Sequence, residues 1–537
     1  MARPSTPLAE RARERGFTPS VRDLDPLVDL LANDELQKDA ERAIVRAGPA
    51  GLHTLKSRFE GALPPLRGRI LRVIGRFVLD ETARSLLVAA LRDADPKTRR
   101  NAAMALGHAE PPRPAEPSVA SHDTEAALLR AWDEDPRTEM RRTLAAALGK
   151  VGTPASLSRL TEAAHSEDAE LARIAKRAVM IVERTASRGQ GGGVVGSRVP
   201  ARPVDVQLLS RRGLESVLAD ELSRLDTVTE VQMDGPGRVR ARLLGPLDTL
   251  MSARTMLELR FVLPSVEIRE GESATEAIAL LATSDLAQTV LGTWSGAGVR
   301  YRIQWQDGGH KRAATWEVAQ AIGRRQSSWI NDPTASSWEF VIDLSPRSVQ
   351  VAIVPRGLAD PRFTWRRGDV PASSHPTIAA ALAWVAGVRD DDVVWDPFVG
   401  SGSELVERAK LGPFASLTGT DVDARALRVA RENLSSLGLS AHLEQTDALT
   451  YAIRPTLVIT NPPMGRRASR MAGLKPMLDR FVLHVAEVLV PGGRFVWMAP
   501  WPLDSRRAAA TGGLSLDWAR LVDMDGFDAE LQSWHKR

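Results

Sequence analysis

The chain is 537 residues long, has no cysteine and carries a net charge of only +4, with 43% hydrophobic and 26% charged residues. This composition is typical of soluble globular protein and excludes a disordered chain, a collagen-like fibre, a disulfide scaffold, thiol nucleophiles and cysteine-based zinc sites; the charge alone indicates no nucleic-acid partner. At about 150 residues per domain we expect three or four domains. No apolar run approaches the roughly 20 residues that span a bilayer, and the first residues lack the apolar core of a signal peptide, so we predict a cytoplasmic protein without a membrane partner.

Residues 20–185 are predicted to form a solenoid of helix pairs. Leu, Ala and Arg recur at helical spacing, and Gly75, Gly107 and Gly149 close similar segments at a period near 32 residues once a proline-rich insert is left out. An Asp-x-Asp-Pro turn precedes the second helix of a pair, so we expect proline in the first turn of that helix and glycine as its C-cap. A single pair leaves an apolar face uncovered, which stacking would cover. The run from Asp95 to Gly107 resembles HEAT-type repeats, which implies a surface for a protein partner or RNA; a generic helical bundle is the alternative.

Residues 186–202 are rich in glycine and are predicted to be a flexible linker, and the mixed pattern of 203–365 predicts an α+β region. The order of its elements, together with the run Arg212-Gly213-Leu214-Glu215, resembles the N-terminal part of THUMP-containing RNA methyltransferases. That resemblance implies a ferredoxin-like or THUMP-like region that binds RNA. We expect strands at 204–209, 237–243, 299–305, 339–344 and 349–354, and helices at 213–222, 252–259 and 314–325.

Residues 366–537 alternate strands with helices, which predicts a parallel, doubly wound sheet whose ligand lies at the carboxyl ends of the strands. The first strand ends at Asp396 and leads into a turn that contains Gly400, Gly402 and Ser403. Glycine lets the backbone approach a ligand closely there, and the following helix presents its positive amino end.

The later strands of this region also end on polar residues. Asp421 follows Gly402 by 19 residues, a spacing typical of an acidic residue that accepts hydrogen bonds from ribose hydroxyls. Asp447 follows the third strand, and Asn461-Pro462-Pro463-Met464 follows the fourth. A glycine turn with an acidic residue also fits dinucleotide enzymes, but the third glycine of their fingerprint is Leu405 here. We expect helices at 404–410 and 424–437 and strands at 440–444 and 457–460.

These motifs together resemble class I S-adenosylmethionine-dependent methyltransferases that act on exocyclic or amide nitrogens, and most of all the THUMP-linked guanine-N2 RNA methyltransferases. The family pattern is Asp-Pro-x-x-Gly-x-Gly, an acidic residue, an Asp and then Asn-Pro-Pro-aromatic-Gly, and the segment from Trp365 to Leu382 matches the family's approach to the first motif. The resemblance implies that S-adenosyl-L-methionine is the cofactor. It further implies that Asp396, Gly400, Gly402 and Ser403 hold the methionine end, Asp421 the ribose and Asp447 the adenine amine.

The catalytic residues implied by the resemblance are Asn461, Pro462, Pro463 and Met464. Asn461 and the carbonyl oxygen of Pro462 would accept hydrogen bonds from the target NH2 group, which aims the nitrogen lone pair at the methyl group. Such positioning can be worth about 7–11 kcal/mol, and it needs no strong general base. Met464 stands where the family has an aromatic residue that stacks on the flipped base, a contact worth about 1–3 kcal/mol. Trp497 or Trp501 are candidates to replace that contact.

Arg466, Arg467 and Arg470 follow the motif and are candidate RNA phosphate contacts, with a solvated cluster as the alternative. The scattered histidines indicate no metal site. We therefore predict a multidomain chain with an all-α HEAT-like solenoid, an α+β THUMP-like region and, from residue 366 to 537, an α/β Rossmann-like methyltransferase sheet.

Our leading hypothesis is an RNA N-methyltransferase that forms N2-methylguanosine in tRNA or rRNA, with the helical repeats contacting RNA or a protein partner. Two alternatives stay open. One is a catalytically degenerate methyltransferase fold that acts as a repeat scaffold or RNA-binding protein. The other is an N-methyltransferase that acts on adenine-N6 or on protein glutamine.

Overall fold

The structure is a computed structural model, and it describes residues 7–14, 16–109, 119–186, 193–309, 311–371, 373–465 and 471–537. The chain divides into two compact units, Met1–Gly191 and Gly192–Arg537. In these described ranges we find no helix with the length and apolar character needed to cross a membrane. The four domain ranges predicted from the sequence stay predictions.

The first unit is built from α-helices around one core of Leu, Ala, Ile and Val side chains. Its helices are α1 (Leu8–Arg13), α2 (Val21–Leu30), α3 (Gln37–Arg46), α4 (Pro49–Phe59), α5 (Pro64–Ile74), α6 (Glu81–Ala90), α7 (Pro96–Ala109), α8 (Val119–Glu134), α9 (Thr138–Val151), α10 (Leu157–Ala163) and α11 (Ala169–Ala186). Helices α5, α7, α9 and α11 pack one on the next, and α6, α8 and α10 each pack against the helix that follows. The repeat seen in the sequence is therefore a repeat of helix pairs.

The recurring glycines of this unit bring helices together. Gly107 and Gly149 lie inside α7 and α9, so the C-caps predicted at these two positions are wrong, whereas Gly75 does follow the last residue of α5. A Cβ on Gly107 would stand 2.8 Å from the Cα of Ala147, and one on Gly149 would stand 2.9 Å from the Cβ of Ala178. Only a residue without a side chain permits so close an approach of successive helices.

The Asp-Pro turns differ between repeats. Pro96 is the first residue of α7, as predicted, and Asp95 caps that helix by accepting a hydrogen bond from the Thr98 amide at 2.7 Å. The next repeat begins its second helix at Thr138, two residues after Pro136, so the prediction of proline in the first turn is wrong there.

The second unit begins with an α+β region on one mixed sheet. Its elements are β1 (Val204–Leu209), α12 (Glu215–Ser223), β2 (Val228–Met233), β3 (Arg238–Leu243), β4 (Glu258–Val262), β5 (Val266–Glu267), α13 (Ala274–Ala282), α14 (Asp285–Trp294), β6 (Arg300–Trp305), α15 (Arg312–Arg325), β7 (Ile330–Asn331), β8 (Trp338–Leu344) and β9 (Ser348–Val354). The strand order is β2-β3-β1-β4-β9-β8-β6-β7, with β5 paired to β9. The helix predicted at 252–259 is wrong, because Leu259 and Phe261 alternate into the core from β4.

The rest of the unit is built on a second sheet, which we call the catalytic sheet because it carries the motifs predicted to bind cofactor and substrate. Its elements are α16 (Pro376–Ala386), β10 (Val393–Asp396), α17 (Ser403–Leu411), β11 (Ser416–Asp421), α18 (Ala424–Ser435), β12 (His442–Gln445), β13 (Leu457–Thr460), α19 (Met471–Val488), β14 (Arg494–Ala499), α20 (Pro502–Thr511), β15 (Leu514–Asp523) and β16 (Asp528–Lys536). The order is β12-β11-β10-β13-β14-β16-β15. Neighbouring strands from β12 to β14 are parallel, as predicted, and β16 and β15 complete the sheet in antiparallel pairing.

The α+β region and the catalytic sheet pack directly against each other. Leu214 and Val217, at the start of α12, belong to the core of the catalytic sheet. Arg254 donates hydrogen bonds of 2.7 Å to Oε1 of Glu407 in α17 and to the carbonyl oxygen of Arg362. A buried ion pair and shared apolar packing thus hold the two parts of this unit together.

Candidate active site

Parallel pairing brings the predicted site residues to one edge of the catalytic sheet. Asp396 and Asp421 are the last residues of the neighbouring strands β10 and β11. Asp447 follows the end of β12 by two residues, and Asn461 directly follows β13, which pairs with β10. Four strand ends therefore present polar side chains at the edge where doubly wound sheets bind ligands.

The glycine turn after β10 has the conformation that its sequence predicts. Gly400 has a φ of +50° and Gly402 a φ of +81°, in the left-handed region that favours glycine. Gly402 immediately precedes α17, and the Gly400 amide donates a 3.1 Å hydrogen bond to Oδ2 of Asp421. Ser403 is buried, with its Oγ 3.0 Å from Oγ of Ser401. The turn therefore ties the first two strand ends together.

The two outer carboxylates are more open to solvent. Asp421 is half-buried, and its Oδ1 accepts a 2.9 Å hydrogen bond from the Asp423 amide. Asp447 is exposed, and its Oδ1 accepts from the Leu449 amide at 2.9 Å. Each carboxylate retains lone pairs for hydroxyl or amine donors.

Asp396 is the most deeply buried acid of the site. Its Oδ1 accepts hydrogen bonds from the Phe398 amide at 3.1 Å and from Oγ1 of Thr460 at 2.7 Å. Its Oδ2 is buried and has no partner among the described residues. Burial, and then the nearby charge of Glu404, raise the pKa of Asp396 well above its ordinary value. A cationic group beside this carboxyl would reverse that shift.

Two residues of the site were not predicted, Ser374 and Glu404. The amide nitrogen Nδ2 of Asn461 donates a 2.8 Å hydrogen bond to Oγ of Ser374, and that hydroxyl donates in turn to Oε1 of Glu404. Oδ1 of Asn461 is buried and, in the described part of the chain, has no hydrogen-bond partner. Burial raises the pKa of Glu404 to about 7. The sequence signal was weak, because an acid in the first turn of a helix is ordinarily a solvated cap.

The remaining residues of the catalytic motif differ in exposure. Pro462 is buried and Pro463 is exposed, while Met464 is half-buried and packs against the core of the catalytic sheet. The candidate phosphate contacts Arg466, Arg467 and Arg470 lie outside the described residues.

The two tryptophans considered as base-stacking residues belong to the interior. Trp497 is fully buried in β14 and donates a 3.0 Å hydrogen bond to Oε1 of Gln532, so it cannot stack on a base. Trp501 is half-buried against the same core. His375 caps α16, with its Nδ1 2.8 Å from Oγ1 of Thr377, which accounts for it structurally. In the ranges that the structure describes, no group of three or more potential metal ligands comes together.

Comparison with known proteins shows similarity to methyltransferases. Residues 364–514 match a family model described as UPF0020, the RMKL-like methyltransferase domain. The chain is 28% identical over 333 residues to a tRNA (guanine(6)-N2)-methyltransferase from Thermus thermophilus, across 58% of this chain and 94% of that protein. It is 26% identical over 243 residues to the U6 snRNA (guanine-N(2))-methyltransferase THUMPD2 from Bos taurus, across 43% of this chain and 46% of that protein.

A solved structure has a similar fold. The crystal structure of TrmN from Thermus thermophilus aligns with a TM-score of 0.50 and 24% identity, and covers 63% of this chain and 100% of that one. The catalytic sheet therefore has the Rossmann-like fold of class I methyltransferases. With the family match, this makes the protein an S-adenosyl-L-methionine-dependent methyltransferase, which confirms the predicted cofactor.

The residues at the strand ends suit this cofactor. Asp396 and Glu404 form no ion pair within the described residues, so the positive charge of the cofactor would stabilise their ionised forms. When bound, S-adenosyl-L-methionine supplies the electrophilic methyl group. The division of roles among Asp396, Gly400, Gly402, Ser403, Asp421 and Asp447 stays a prediction from the resemblance.

Proposed function

We propose that this protein transfers a methyl group to the exocyclic N2 of guanosine in tRNA or rRNA. The observation that carries the proposal is the buried Oδ1 of Asn461 at the end of β13, which has no partner among the described residues and lies two strands from Asp421 and beside Asp396. The names of the two relatives support guanine-N2 as the target, one in tRNA and one in U6 snRNA.

The chemistry of an exocyclic amine explains why such an acceptor matters. The guanine N2 lone pair is conjugated with the ring, which makes it a poor nucleophile. Oδ1 of Asn461 and the Pro462 carbonyl oxygen would accept its two hydrogens and turn the lone pair out of conjugation. The guanine base must flip out of its stack in the RNA to reach Asn461. The chain's contribution to the rate is then chiefly orientation.

An arginine-lined groove in the α+β region supports RNA as the substrate. This groove, which we call the arginine groove, has a volume of about 820 Å³. The cationic side chains that line it are Arg202, Arg238, Arg240 and Arg242. Arg242 is paired with Asp205 at 3.0 Å and Glu230 at 2.8 Å. Arg238 and Arg240 form no ion pair within the described residues, so they are available for phosphates. We propose that this region is THUMP-like and docks the RNA.

The helical unit offers a second cationic surface, which we call the basic row: Arg76, His108, Lys150 and Arg177. The first three each follow one of the packing glycines, and Arg177 precedes Ala178, so helix stacking aligns them. Nζ of Lys150 lies 3.2 Å from Nδ1 of His108. Partial burial, then the charges of Lys150 and Arg76, lower the pKa of His108.

Arg76 is paired with Glu41 at 3.4 Å, and a further anion beside His108, Lys150 and Arg177 would relieve the repulsion among these like charges. We propose that the repeats are HEAT-like and that this row contacts the phosphates of the same RNA. An acidic protein partner is the alternative occupant.

One feature favours a second candidate function. Met464 occupies the position of the family's aromatic residue and packs into the core, so the described residues offer no ring for stacking at that position. A degenerate, RNA-holding methyltransferase fold would accept this substitution. Cofactor binding in calorimetry without turnover on any RNA would favour this candidate.

The test of the leading proposal is incubation of the purified protein with labelled S-adenosyl-L-methionine and tRNA or rRNA, followed by mass spectrometry of the nucleosides. N2-methylguanosine is the expected product. N6-methyladenosine as the product would instead support methylation of adenine-N6. Label in a protein substrate would support methylation of glutamine. We also propose that the protein acts in the cytoplasm, which cell fractionation tests.

A further inference from the structure

We infer that Ser374 and Glu404 are positioning residues that hold the Asn461 amide with its oxygen turned toward the target amine. The inference rests on the proposed methyl transfer at Asn461. Ser374 lies in the segment from Trp365 to Leu382 that matches the family, but the resemblance implies no role for either residue.

The direction of hydrogen bonding carries the inference. An ionised carboxylate only accepts hydrogen bonds, so the single hydroxyl hydrogen of Ser374 goes to Glu404. The Ser374 oxygen is then left with lone pairs only, and it accepts from Nδ2 of Asn461 at 2.8 Å. With its NH2 end engaged, the amide keeps Oδ1 as its free acceptor, and this buried oxygen has no partner in the described part of the chain.

The burial of this pair argues for a role beyond stability. Glu404 is 3% exposed and Ser374 8% exposed. A buried carboxyl without a directly paired cation costs folding free energy, so its position in the first turn of α17, beside the strand ends of the candidate site, indicates function. The charged groups that act on the Glu404 site are Asp396 at the end of β10, Arg366 in the loop before α16 and Glu407 on the same helix.

Protonation would undo the arrangement. A protonated Glu404 can donate to Ser374, which leaves the serine hydroxyl free either to accept from Nδ2 of Asn461 or to donate to Oδ1 of a flipped amide. The amide then loses its single orientation. Since burial raises the pKa of Glu404 to about 7, the change falls near neutral pH. His375, next to Ser374, also titrates; its pKa is lowered by burial and then by the charges of Arg211, Arg366 and Arg362.

The first experiment uses the amide signals of Asn461 and does not depend on activity. The chain contains only five asparagines, so the full-length protein labelled with 15N-asparagine gives a simple side-chain amide spectrum, and Asn461→Ala assigns the signal. We expect the Asn461 signal to shift with a midpoint near pH 7 in the wild type and in His375→Asn. The shift should be absent in Glu404→Gln and in Ser374→Ala.

The second experiment measures methyl transfer. Ser374→Ala should lower kcat by about tenfold to a hundredfold, since misplacement near 1 Å can cost about a hundredfold. The Kd for S-adenosyl-L-methionine and the KM for RNA should stay unchanged, and Ser374→Thr, which keeps the hydroxyl, should restore kcat. The matched control is Ser373→Ala, because Ser373 lies in the same loop and bonds the Val370 amide at 3.2 Å instead.

The outcomes separate this inference from the proposed function. If Ser374→Ala matches Ser373→Ala in both kcat and the Asn461 signal, the positioning role is wrong although methylation stands. If the Asn461 signal titrates as expected but no RNA is methylated, the proposed function fails and the role of the pair in orienting the amide survives.

Discussion

A buried aspartate directly precedes strand β10 and another is its last residue, and the two lie in opposite electrostatic settings. At its amino end, Asp392 accepts hydrogen bonds from Arg408 at 2.7 Å, from Arg494 and from Oγ1 of Thr456 at 3.1 Å. Burial alone would raise the pKa of Asp392, but these arginines hold it below its ordinary value. At the carboxyl end, Asp396 is equally buried, its Oδ2 has no partner among the residues that the structure describes, and its pKa is raised.

The difference shows how one sheet separates stability from function. At the amino end, Asp392 neutralises the charges of Arg408 and Arg494 inside the fold. At the other end, Asp396 and Glu404 form no ion pair within the described ranges, which leaves a deficit of positive charge that a cationic cofactor can fill. In the described part of this sheet, the two acids whose pKa is raised lie at the edge where a ligand is expected to bind.

The largest effect on methyl transfer should come from Asn461, at the carboxyl end of β13. Asn461→Ala removes one of the two acceptors for the target amine, and we expect kcat to fall by about 10²- to 10³-fold, as when one donor is removed from an oxyanion hole. Binding of S-adenosyl-L-methionine should be unchanged in calorimetry. Asn331→Ala, outside the catalytic sheet, is the control. Equal kcat in the two variants would remove Asn461 from the reaction.

Neutral substitutions of Asp392 and Asp396 should have different effects: the first should lower the free energy of unfolding, and the second should weaken cofactor binding. Asp392→Asn leaves the fully buried Arg408 without its carboxylate, and we expect a loss of about 3–5 kcal/mol in the free energy of unfolding in urea. Asp396→Asn should cost little stability but weaken cofactor binding. The comparison would be wrong if Asp396→Asn proved the more destabilising of the two.

The pH dependence of stability should have opposite signs at the two ends. Because the pKa of Glu404 is raised from 4.5 to about 7, the folded chain holds more protons than the unfolded chain in that range, so this group makes stability fall as pH rises. The lowered pKa of Asp392 contributes stability that is present above 3.8 and lost as pH falls further. Urea unfolding across pH should show a smaller neutral-side loss in Glu404→Gln and a smaller acid-side loss in Asp392→Asn.

The arginine groove should affect RNA affinity and leave cofactor affinity alone. Replacing Arg238 and Arg240 with alanine should weaken RNA binding at all sequences and reduce the salt slope by about one for each phosphate that no longer pairs with an arginine. Fluorescence anisotropy at several salt concentrations measures both quantities. Arg347→Ala, an exposed arginine without an ion pair in the described residues, is the control. An unchanged salt slope would mean that the groove does not face the RNA.

The smallest effect is expected from the basic row of the helical unit. Lys150→Ala with His108→Ala should weaken RNA binding a few-fold and leave turnover at saturating RNA unchanged, since the row is proposed to bind phosphates remote from the chemistry. Arg130→Ala on the exposed face of α8 is the comparison variant. If both proteins bind RNA like the wild type, an acidic protein partner becomes the better explanation of the row.

The sequence predicted the parts of the site that depend on local chain geometry. Strand ends, the left-handed Gly402 and the acid that ends the next strand are set by neighbours within a few residues, so Asp396, Asp421 and Asn461 could be placed on one edge. Ser374 and Glu404 were missed because they are 30 residues apart and meet only through tertiary packing.

The errors in the fold have the same origin. Gly149 looks like a C-cap within its own segment, and its packing partner Ala178 lies in another helix pair. The helix predicted over Leu259 is wrong because the strand that contains it, β4, is held by pairing with β1 and β9, which are distant in sequence. The local sequence pattern predicts where helices and strands end, but it does not predict which elements contact one another.

The most direct test of methyl transfer at Asn461 is nucleoside mass spectrometry of tRNA and rRNA after incubation with S-adenosyl-L-methionine and either the wild type or Asn461→Ala. We predict N2-methylguanosine with the wild type and none above background with the variant. Absence of any methylated nucleoside with the wild type, or equal product from the two proteins, would contradict this mechanism.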